Sequence, residues 1–80
     1  MRLTQLRSFY AVARHGGFTA GANALHISQP TVTTQVRALE ANYGVELFVR
    51  RGRNVSLTDV GHTLFAMAQR VFARDRKSVV

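Results

Sequence analysis

Apolar residues recur through most of this chain at the three- to four-residue spacing of amphipathic helices. The first such stripe consists of Leu3, Leu6, Phe9, Tyr10 and Ala13. It stops before Gly16 and Gly17, the residue type that most readily adopts the left-handed conformation of a helix end. The pattern predicts a first helix with Thr4 as its N-cap and with Arg14 and His15 in its last turn, where basic side chains suit the helix dipole.

Two further stretches of helical pattern follow, with a very short connection between them. The first begins at Phe18 with Thr19 as its cap, ends at Leu25, and has small side chains that allow another helix to approach closely. The next begins at Ser28, whose hydroxyl can accept the unpaired backbone N–H of Thr31. Two helices joined by so tight a turn predict a helix-turn-helix.

The helix predicted over 28–42 combines an apolar stripe with an unusual polar face. The stripe consists of Val32, Val36, Leu39 and Tyr43, and the polar face carries Gln29, Thr33, Thr34 and Arg37. No acidic residue precedes Glu40 in the chain. Such a face offers hydrogen-bond donors and acceptors without negative charge, as a surface in the DNA major groove requires. An ordinary solvated helix face, which more often carries Glu and Lys pairs, is the alternative.

A different pattern replaces the helical one after Gly44. The segment 45–49 has β-branched and aromatic members and predicts a strand, and 55–57 alternates as a return strand. The turn between them, over 50–54, carries Arg50, Arg51 and Arg53. A hairpin with three arginines at its tip predicts a wing that reaches a phosphate backbone or a minor groove. The alternative is an exposed turn whose charges only maintain solubility.

A final helix is predicted to follow Thr58 as its cap, with Asp59 in its positive first turn, and to run towards Arg74. Its two adjacent apolar stripes are together wider than a surface helix of so small a domain needs. This width predicts a homodimer through the helix, and a loosely exposed terminal helix is the alternative. The expected interface residues are Leu64, Phe65, Ala68, Val71 and Phe72.

Composition and charge narrow the choice of partner. The 80 residues predict one small domain, and the 46% hydrophobic fraction argues against disorder. Eleven Lys and Arg residues oppose four Asp and Glu residues for a net charge of +7, and ten of the eleven cations are Arg. Arg suits bidentate contacts with phosphate and guanine. The composition therefore predicts a polyanionic partner, nucleic acid first and an anionic membrane surface second.

The chemistry of an enzyme is not evident in the sequence. His15, His26 and His62 are scattered, the four acidic residues form no metal-binding or acid/base pair, and there is no cysteine. We expect no catalytic residue, no metal and no cofactor. No apolar run approaches the ~20 residues that span a bilayer, and no signal peptide is evident, so a cytoplasmic protein is expected. A basic module for RNA or a membrane surface remains the rival. Such a module would carry its arginines along an amphipathic helix, whereas here they cluster on the predicted turn.

Five short motifs occur in order along the chain. They are Leu6-Arg7-x-Phe9, Phe18-Thr19-Ala20-x-Ala22-x-x-Leu25-His26-x-Ser28-Gln29-Pro30, Gln35-Val36-Arg37-x-Leu39-Glu40, Gly44-x-x-Leu47-Phe48-x-Arg50 and Leu57-Thr58-x-x-Gly61. From Met1 to about Phe72, the chain resembles the N-terminal domain of LysR-type transcriptional regulators. The Phe-Thr and Ser-Gln-Pro core of the second motif is the most specific part of this resemblance.

The resemblance implies a mainly α, bacterial winged helix-turn-helix with a three-helix core, a two-stranded wing and a long C-terminal linker helix. Residues 1–57 would form the DNA-binding domain, and 58–80 the linker helix that forms the dimer. The implied partner is double-stranded DNA with inverted-repeat half-sites, bound near the nucleoid by a homodimer; a full-length protein could form a tetramer. Members of the family carry an effector-binding domain after this linker, so effector sensing is expected outside these 80 residues.

The same resemblance assigns roles to individual residues. The expected base contacts are made by Gln29, Pro30, Thr31, Thr33 and Thr34, with Arg53 of the wing at the minor groove. Apart from the resemblance, the positive charge of Arg37, Arg50 and Arg51 makes them expected phosphate contacts, together with Thr19 and Ser28. Gly21 departs from the Ala that is usual in the family, and positions 33 and 34 vary between its members. These departures leave the operator sequence open.

Overall fold

Within residues 2–52 and 54–77, the part of the chain that the structure describes, the computed structural model contains four helices and two strands. In chain order they are α1 (Leu3–His15), α2 (Phe18–Leu25), α3 (Gln29–Tyr43), β1 (Phe48–Arg51), β2 (Asn54–Leu57) and α4 (Asp59–Lys77). The strands pair as an antiparallel two-stranded sheet. Three packed helices, a hairpin and a long last helix confirm the predicted winged helix-turn-helix fold.

The core lies where the first three helices meet, and most of the predicted apolar residues point into it. Its most deeply buried large side chains are Phe9, Val12, Val32, Val36, Leu39 and Leu47. Burying a side chain of this size stabilises the folded chain by about 1.5–3 kcal/mol. Leu3 and Tyr43 were also predicted to belong to the apolar stripes, yet they are 58% and 53% exposed, at the first residue of α1 and the last of α3.

The predicted caps of α3 and α4 are confirmed. Ser28 Oγ accepts the backbone N–H of Thr31 at 3.4 Å, and Thr58 Oγ1 accepts that of Gly61 at 3.0 Å. Each bond satisfies one of the N–H groups that the first turn of a helix leaves unpaired. The predicted glycine ends of α1 and α3 are confirmed by the left-handed backbone of Gly16 and Gly44.

The predicted caps of α1 and α2 are wrong. The backbone is extended at Arg2 and at Gly17 and becomes helical at the next residue, so each cap position lies two residues before the predicted one, while α2 does begin at Phe18 and end at Leu25. Thr4 and Thr19 therefore lie inside the first turn rather than before it. Neither helix has a side-chain hydrogen bond at its cap position, which leaves the N-terminus of α2 open.

The hairpin turn is shorter than predicted. The strand register pairs Arg51 with Asn54, so only positions 52 and 53 join the two strands. Gly52 has a φ of +62°, which suits so short a hairpin connection. Arg50 and Arg51 consequently lie in β1 and not in a turn over 50–54.

The residues before β1 pack against α3 instead of extending the strand. The Glu40 carboxylate accepts the backbone N–H of Leu47 at 2.7 Å, and the Leu47 side chain is buried in the core. Because the Glu40 carboxylate already accepts the Leu47 N–H, this N–H is not available for pairing with β2. The strand predicted over 45–49 therefore begins only at Phe48.

Two glycines permit close approaches between elements. A Cβ atom on Gly21 would lie 2.9 Å from the Val12 Cα and N atoms of α1, closer than real Cβ atoms come to backbone. A Cβ atom on Gly61 would overlap the Leu47 carbonyl oxygen. Gly21 and Gly61 thus fix how closely α2 packs on α1 and how α4 leaves the wing.

Helix α4 uses part of its predicted dimer surface to pack on α1. Tyr10 contacts the rings of Phe65 and Phe72 at centroid distances of 5.3 Å and 5.2 Å, and Ala68 is fully buried. Ala68 has no surface left for a second chain, which corrects the prediction at this residue. The Phe65 and Phe72 rings are half-buried in their own chain, and their predicted role in a dimer stays a prediction. The large apolar residues that α4 leaves exposed are Val60, Met67 and Val71.

Candidate nucleic-acid interface

The orientation of α3 is fixed from inside the core. Its apolar residues Val32, Val36 and Leu39 are buried, and the Ser8 hydroxyl of α1, only 1% exposed, donates a hydrogen bond to the Gln35 side-chain oxygen. A buried polar group needs such a partner, so this bond favours one rotation of α3 about its axis. That rotation turns the opposite face, with its Gln and Thr residues, outwards.

The turn before α3 depends on a residue whose role the sequence analysis missed. His26 has a φ of +59° and caps α2 in the left-handed conformation, with its N–H directed at the carbonyls of Ala22 and Asn23. The N–H of Ile27 then bonds to the Ala22 carbonyl at 3.1 Å. His is one of the few non-glycine types enriched at positive φ. The backbone of His26 therefore forms the turn between the two helices.

The N-terminal half of α3 exposes the residues predicted to contact bases. Gln29, Pro30, Thr31 and Thr34 are exposed, and Thr33 is half-buried beside them. Two side-chain hydrogen bonds order this surface: Gln29 Nε2 donates to Thr33 Oγ1 at 2.9 Å, and the Ser28 and Thr31 hydroxyls lie 2.7 Å apart. The structure thus brings all five predicted residues to one uncharged, polar end of α3.

The open N-terminus of α2 lies beside this surface and the wing. Together they border an opening of about 170 Å³, lined by Gly17, Phe18, Thr19, Gln29, Arg50, Gly52, Asn54 and Val55. No acidic residue lies in the first turn of α2. A positive helix end next to a guanidinium suits a phosphate group. Sequence analysis missed Asn54 and the α2 backbone here; the absence of a strong cap before α2 was the available signal.

The two arginines of β1 point in different directions. The Arg50 guanidinium carbon lies 5.8 Å from the centroid of the Phe18 ring, which in turn contacts Phe48 at 5.6 Å. Successive side chains of a strand alternate between its faces, so Arg51 lies on the face opposite Arg50. Arg53, the predicted minor-groove residue, lies outside the residues that the structure describes.

Arg37 and Arg50 meet at a second polar cleft of about 330 Å³. Its other lining residues are Phe18, Glu40, Glu46, Phe48 and Val49. The Glu40 carboxylate is occupied with the Leu47 N–H, whereas Glu46 is exposed. The cleft therefore combines two guanidinium groups with two carboxylates.

The described part of the chain contains neither a cluster of metal-ligating side chains nor a membrane-crossing helix. Among residues 2–52 and 54–77, no three His, Cys, Asp or Glu residues are grouped closely enough to hold a metal ion. None of the described helices combines the length and the apolar composition that a bilayer crossing needs.

Known sequences similar to this chain are bacterial regulators. Residues 3–62 match the family described as bacterial regulatory helix-turn-helix protein, lysR family. The RuBisCO operon transcriptional regulator of Allochromatium vinosum is 52% identical over 63 residues, which are 79% of this chain and 21% of that protein. ClcR of Pseudomonas putida, an HTH-type transcriptional regulator, is 49% identical over 71 residues, 89% of this chain and 24% of that protein. The chain thus spans about a fifth to a quarter of these relatives.

Solved structures with the same fold include complexes with DNA. The crystal structure of a CbnR_DBD-DNA complex has a TM-score of 0.84 and 42% identity, covering 98% of this chain and 90% of that one. The BenM_DBD/catB site 1 DNA complex has a TM-score of 0.87 and 34% identity, covering 99% and 88%.

Proposed function

This chain belongs to the lysR family of bacterial regulatory helix-turn-helix proteins, and on that premise we propose that it binds specific double-stranded DNA sequences as part of a longer transcriptional regulator. It is a winged helix-turn-helix DNA-binding domain of the LysR type. The observation that carries the proposal is the exposed, uncharged end of α3 beside Arg50 and the open N-terminus of α2. Such a regulator acts at the bacterial chromosome, in the cytoplasm.

In this proposal α3 enters the major groove and the wing follows the backbone. The surface that faces the bases consists of Gln29, Pro30, Thr31, Thr33 and Thr34. Gln29 offers an amide group and the threonines offer hydroxyl groups to base edges, and Pro30 offers an apolar ring. The phosphate contacts come from Thr19, Ser28, Arg37, Arg50 and Arg51. Arg53 is proposed to contact the minor groove. Side chains on phosphates hold the domain in register, while the exposed end of α3 supplies the sequence preference.

We also propose a homodimer through α4, with a revised set of contacts. An apolar groove of about 490 Å³ runs between the end of α3 and α4, lined by Tyr43, Val45, Leu47, Val60, Thr63, Leu64 and Met67. Val60, Met67 and Val71 are 47%, 59% and 48% exposed, so a second α4 could cover them. A two-fold axis there requires an inverted-repeat site, with one α3 for each half-site.

Selection of bound duplexes from a random library, followed by titration of the selected and a scrambled duplex, tests the proposal. We expect the selected duplex to bind about 10³-fold or more tighter than the scrambled one at the same salt concentration. Gln29→Ala should weaken binding to the selected duplex by about 1–3 kcal/mol and to the scrambled one much less. Gln69→Ala, the same change at an exposed position of α4, is the matched control.

Two results would contradict the proposed function. One is equal affinity for selected and scrambled duplexes. The other is equally tight binding to structured RNA or to anionic vesicles, which would favour a non-specific basic module. Because affinity for a polyanion varies with salt, all three partners are compared at one ionic strength.

A further inference from the structure

We propose that Thr33 is a positioning residue that holds Gln29 in the rotamer that recognises adenine in an A·T base pair. This inference rests on the proposed insertion of α3 into the major groove. Its basis is the hydrogen bond from Gln29 Nε2 to Thr33 Oγ1, 2.9 Å long. Residues four apart lie on the same side of a helix, so the bond forms without leaving the exposed surface of α3.

The hydrogen bond leaves the amide group of Gln29 able to form a bidentate contact. A side-chain amide has one oxygen and two N–H groups, and Thr33 accepts only one of these N–H groups. The remaining N–H and Oε1 match the N7 acceptor and the N6 donor that adenine presents in the major groove. Guanine presents two acceptors there, so its O6 would face Oε1 without a hydrogen. Cytosine and thymine each lack one half of the pattern.

Thr33 is well suited to hold an exposed side chain in place. It is half-buried, whereas Gln29 is exposed, and a β-branched side chain has few rotamers in a helix. The hydroxyl of the neighbouring Thr31 is hydrogen-bonded to the Ser28 hydroxyl, 2.7 Å away, and so is engaged with another partner. Ordering one long side chain in advance avoids an entropic cost that corresponds to about a 2- to 12-fold difference in affinity.

Thr33 belongs to the surface proposed above to face the bases, where it can act through Gln29 or touch a base itself, and the two roles differ in a measurable way. A positioning residue acts through Gln29, so its replacement has no effect once Gln29 is removed. A direct contact remains when Gln29 is absent and affects its own base pair. A double-mutant cycle separates these cases, because coupled residues give non-additive changes.

The test uses the 80-residue chain and the duplex selected from the random library, with each base pair of the half-site replaced in turn by the other three. Affinities are measured for the unmodified chain, Gln29→Ala, Thr33→Val, Thr33→Ser and the double variant Gln29→Ala with Thr33→Val. Thr33→Val keeps the branched shape without the hydroxyl, and Thr33→Ser keeps the hydroxyl. Circular dichroism and the salt dependence of binding verify that the fold and the phosphate contacts are unchanged.

We expect Thr33→Val to reduce the preference for adenine about 2- to 12-fold at the same base pair where Gln29→Ala reduces it. Thr33→Ser should keep the preference, and Thr33→Val should have no further effect in the Gln29→Ala background. The inference is overturned if Thr33→Val leaves the preference unchanged, acts at another base pair or acts without Gln29; each result leaves the proposed DNA binding intact. A guanine, cytosine or thymine preference at the Gln29-dependent pair also overturns it. Failure of the selection itself would instead overturn the proposed function.

Discussion

The Tyr10 ring of α1 stacks on the Phe65 ring of α4, with centroids 5.3 Å apart and planes inclined by 17°. Tyr10 is only 8% exposed, and its hydroxyl accepts a hydrogen bond from Arg14 at 3.1 Å. Phe72 contacts the same ring from one side, and the Arg7 guanidinium carbon lies 5.3 Å from the Phe72 centroid. These contacts join the last helix to the helix-turn-helix, so the direction of α4 is set by packing and not by a free linker.

Removing the Tyr10 ring is expected to destabilise the fold strongly. Tyr10→Ala leaves a cavity between α1 and α4, for which we expect a loss of about 3–5 kcal/mol in the free energy of unfolding. Tyr10→Phe removes only the hydroxyl and should lose about 0.5–1.5 kcal/mol. Urea titration monitored by circular dichroism measures both. Equal losses for the two variants would mean that the ring stack contributes little.

The exposed apolar face of α4 is expected to affect association and not folding. Met67→Lys should leave the unfolding free energy of the monomer nearly unchanged, since Met67 is 59% exposed. Each chain of the homodimer would lose the burial of one methionine, about 1.5–3 kcal/mol, so the dimer should dissociate at least about 10-fold more readily. Sedimentation equilibrium measures the dissociation constant.

The control for this prediction is Gln69→Lys, an exposed position on the same helix. It adds the same charge away from the residues that line the groove. If both variants associate alike, or if Phe65→Ala dissociates the dimer without loss of monomer stability, the revised interface is wrong.

Local signals explain why much of the fold could be predicted. The cap of α3 at Ser28 and its end at Gly44 depend on residues within one turn, and the stripe of Val32, Val36 and Leu39 has a period that only a helix satisfies. The family motifs overlap these same positions. Fold class and family were therefore predictable from the sequence.

The details of the site depend on contacts between distant residues, which periodicity does not reveal. The bond from the Leu47 N–H to Glu40 decides where β1 begins, and the pairing of Arg51 with Asn54 places Arg50 and Arg51 on opposite faces of a strand. Likewise, the apolar arc of α4 was predicted, but not that Ala68 would be buried in its own chain. In each case tertiary packing decided between arrangements that the local pattern allowed equally.

We expect glycine at position 61 to give a more stable fold than alanine, although alanine is usually the more stabilising residue inside a helix. Gly→Ala in an open helical position gains about 0.5–1 kcal/mol, but a Cβ atom here would overlap the Leu47 carbonyl oxygen. We expect Gly61→Ala to lower the unfolding free energy by about 1–3 kcal/mol. Ala66→Gly, at an exposed position of α4, is the control, because it measures the effect of helical preference on the unfolding free energy without a close contact. Stabilisation by Gly61→Ala would contradict the close approach.

Arg50 is expected to be the arginine of β1 whose loss changes the salt dependence of DNA binding most clearly. Its guanidinium lies over Phe18 beside the open N-terminus of α2, whereas Arg51 lies on the opposite face of the strand. Each phosphate that a side chain neutralises contributes about −0.9 to the slope of log K against log salt concentration. Arg50→Ala should therefore make the slope shallower by about one and weaken binding to selected and scrambled duplexes alike.

Arg70→Ala, which removes an exposed arginine of α4, is the control and should leave the slope unchanged. An unaltered slope for Arg50→Ala would exclude a phosphate contact by Arg50, and a change confined to the selected duplex would assign it to a base edge instead.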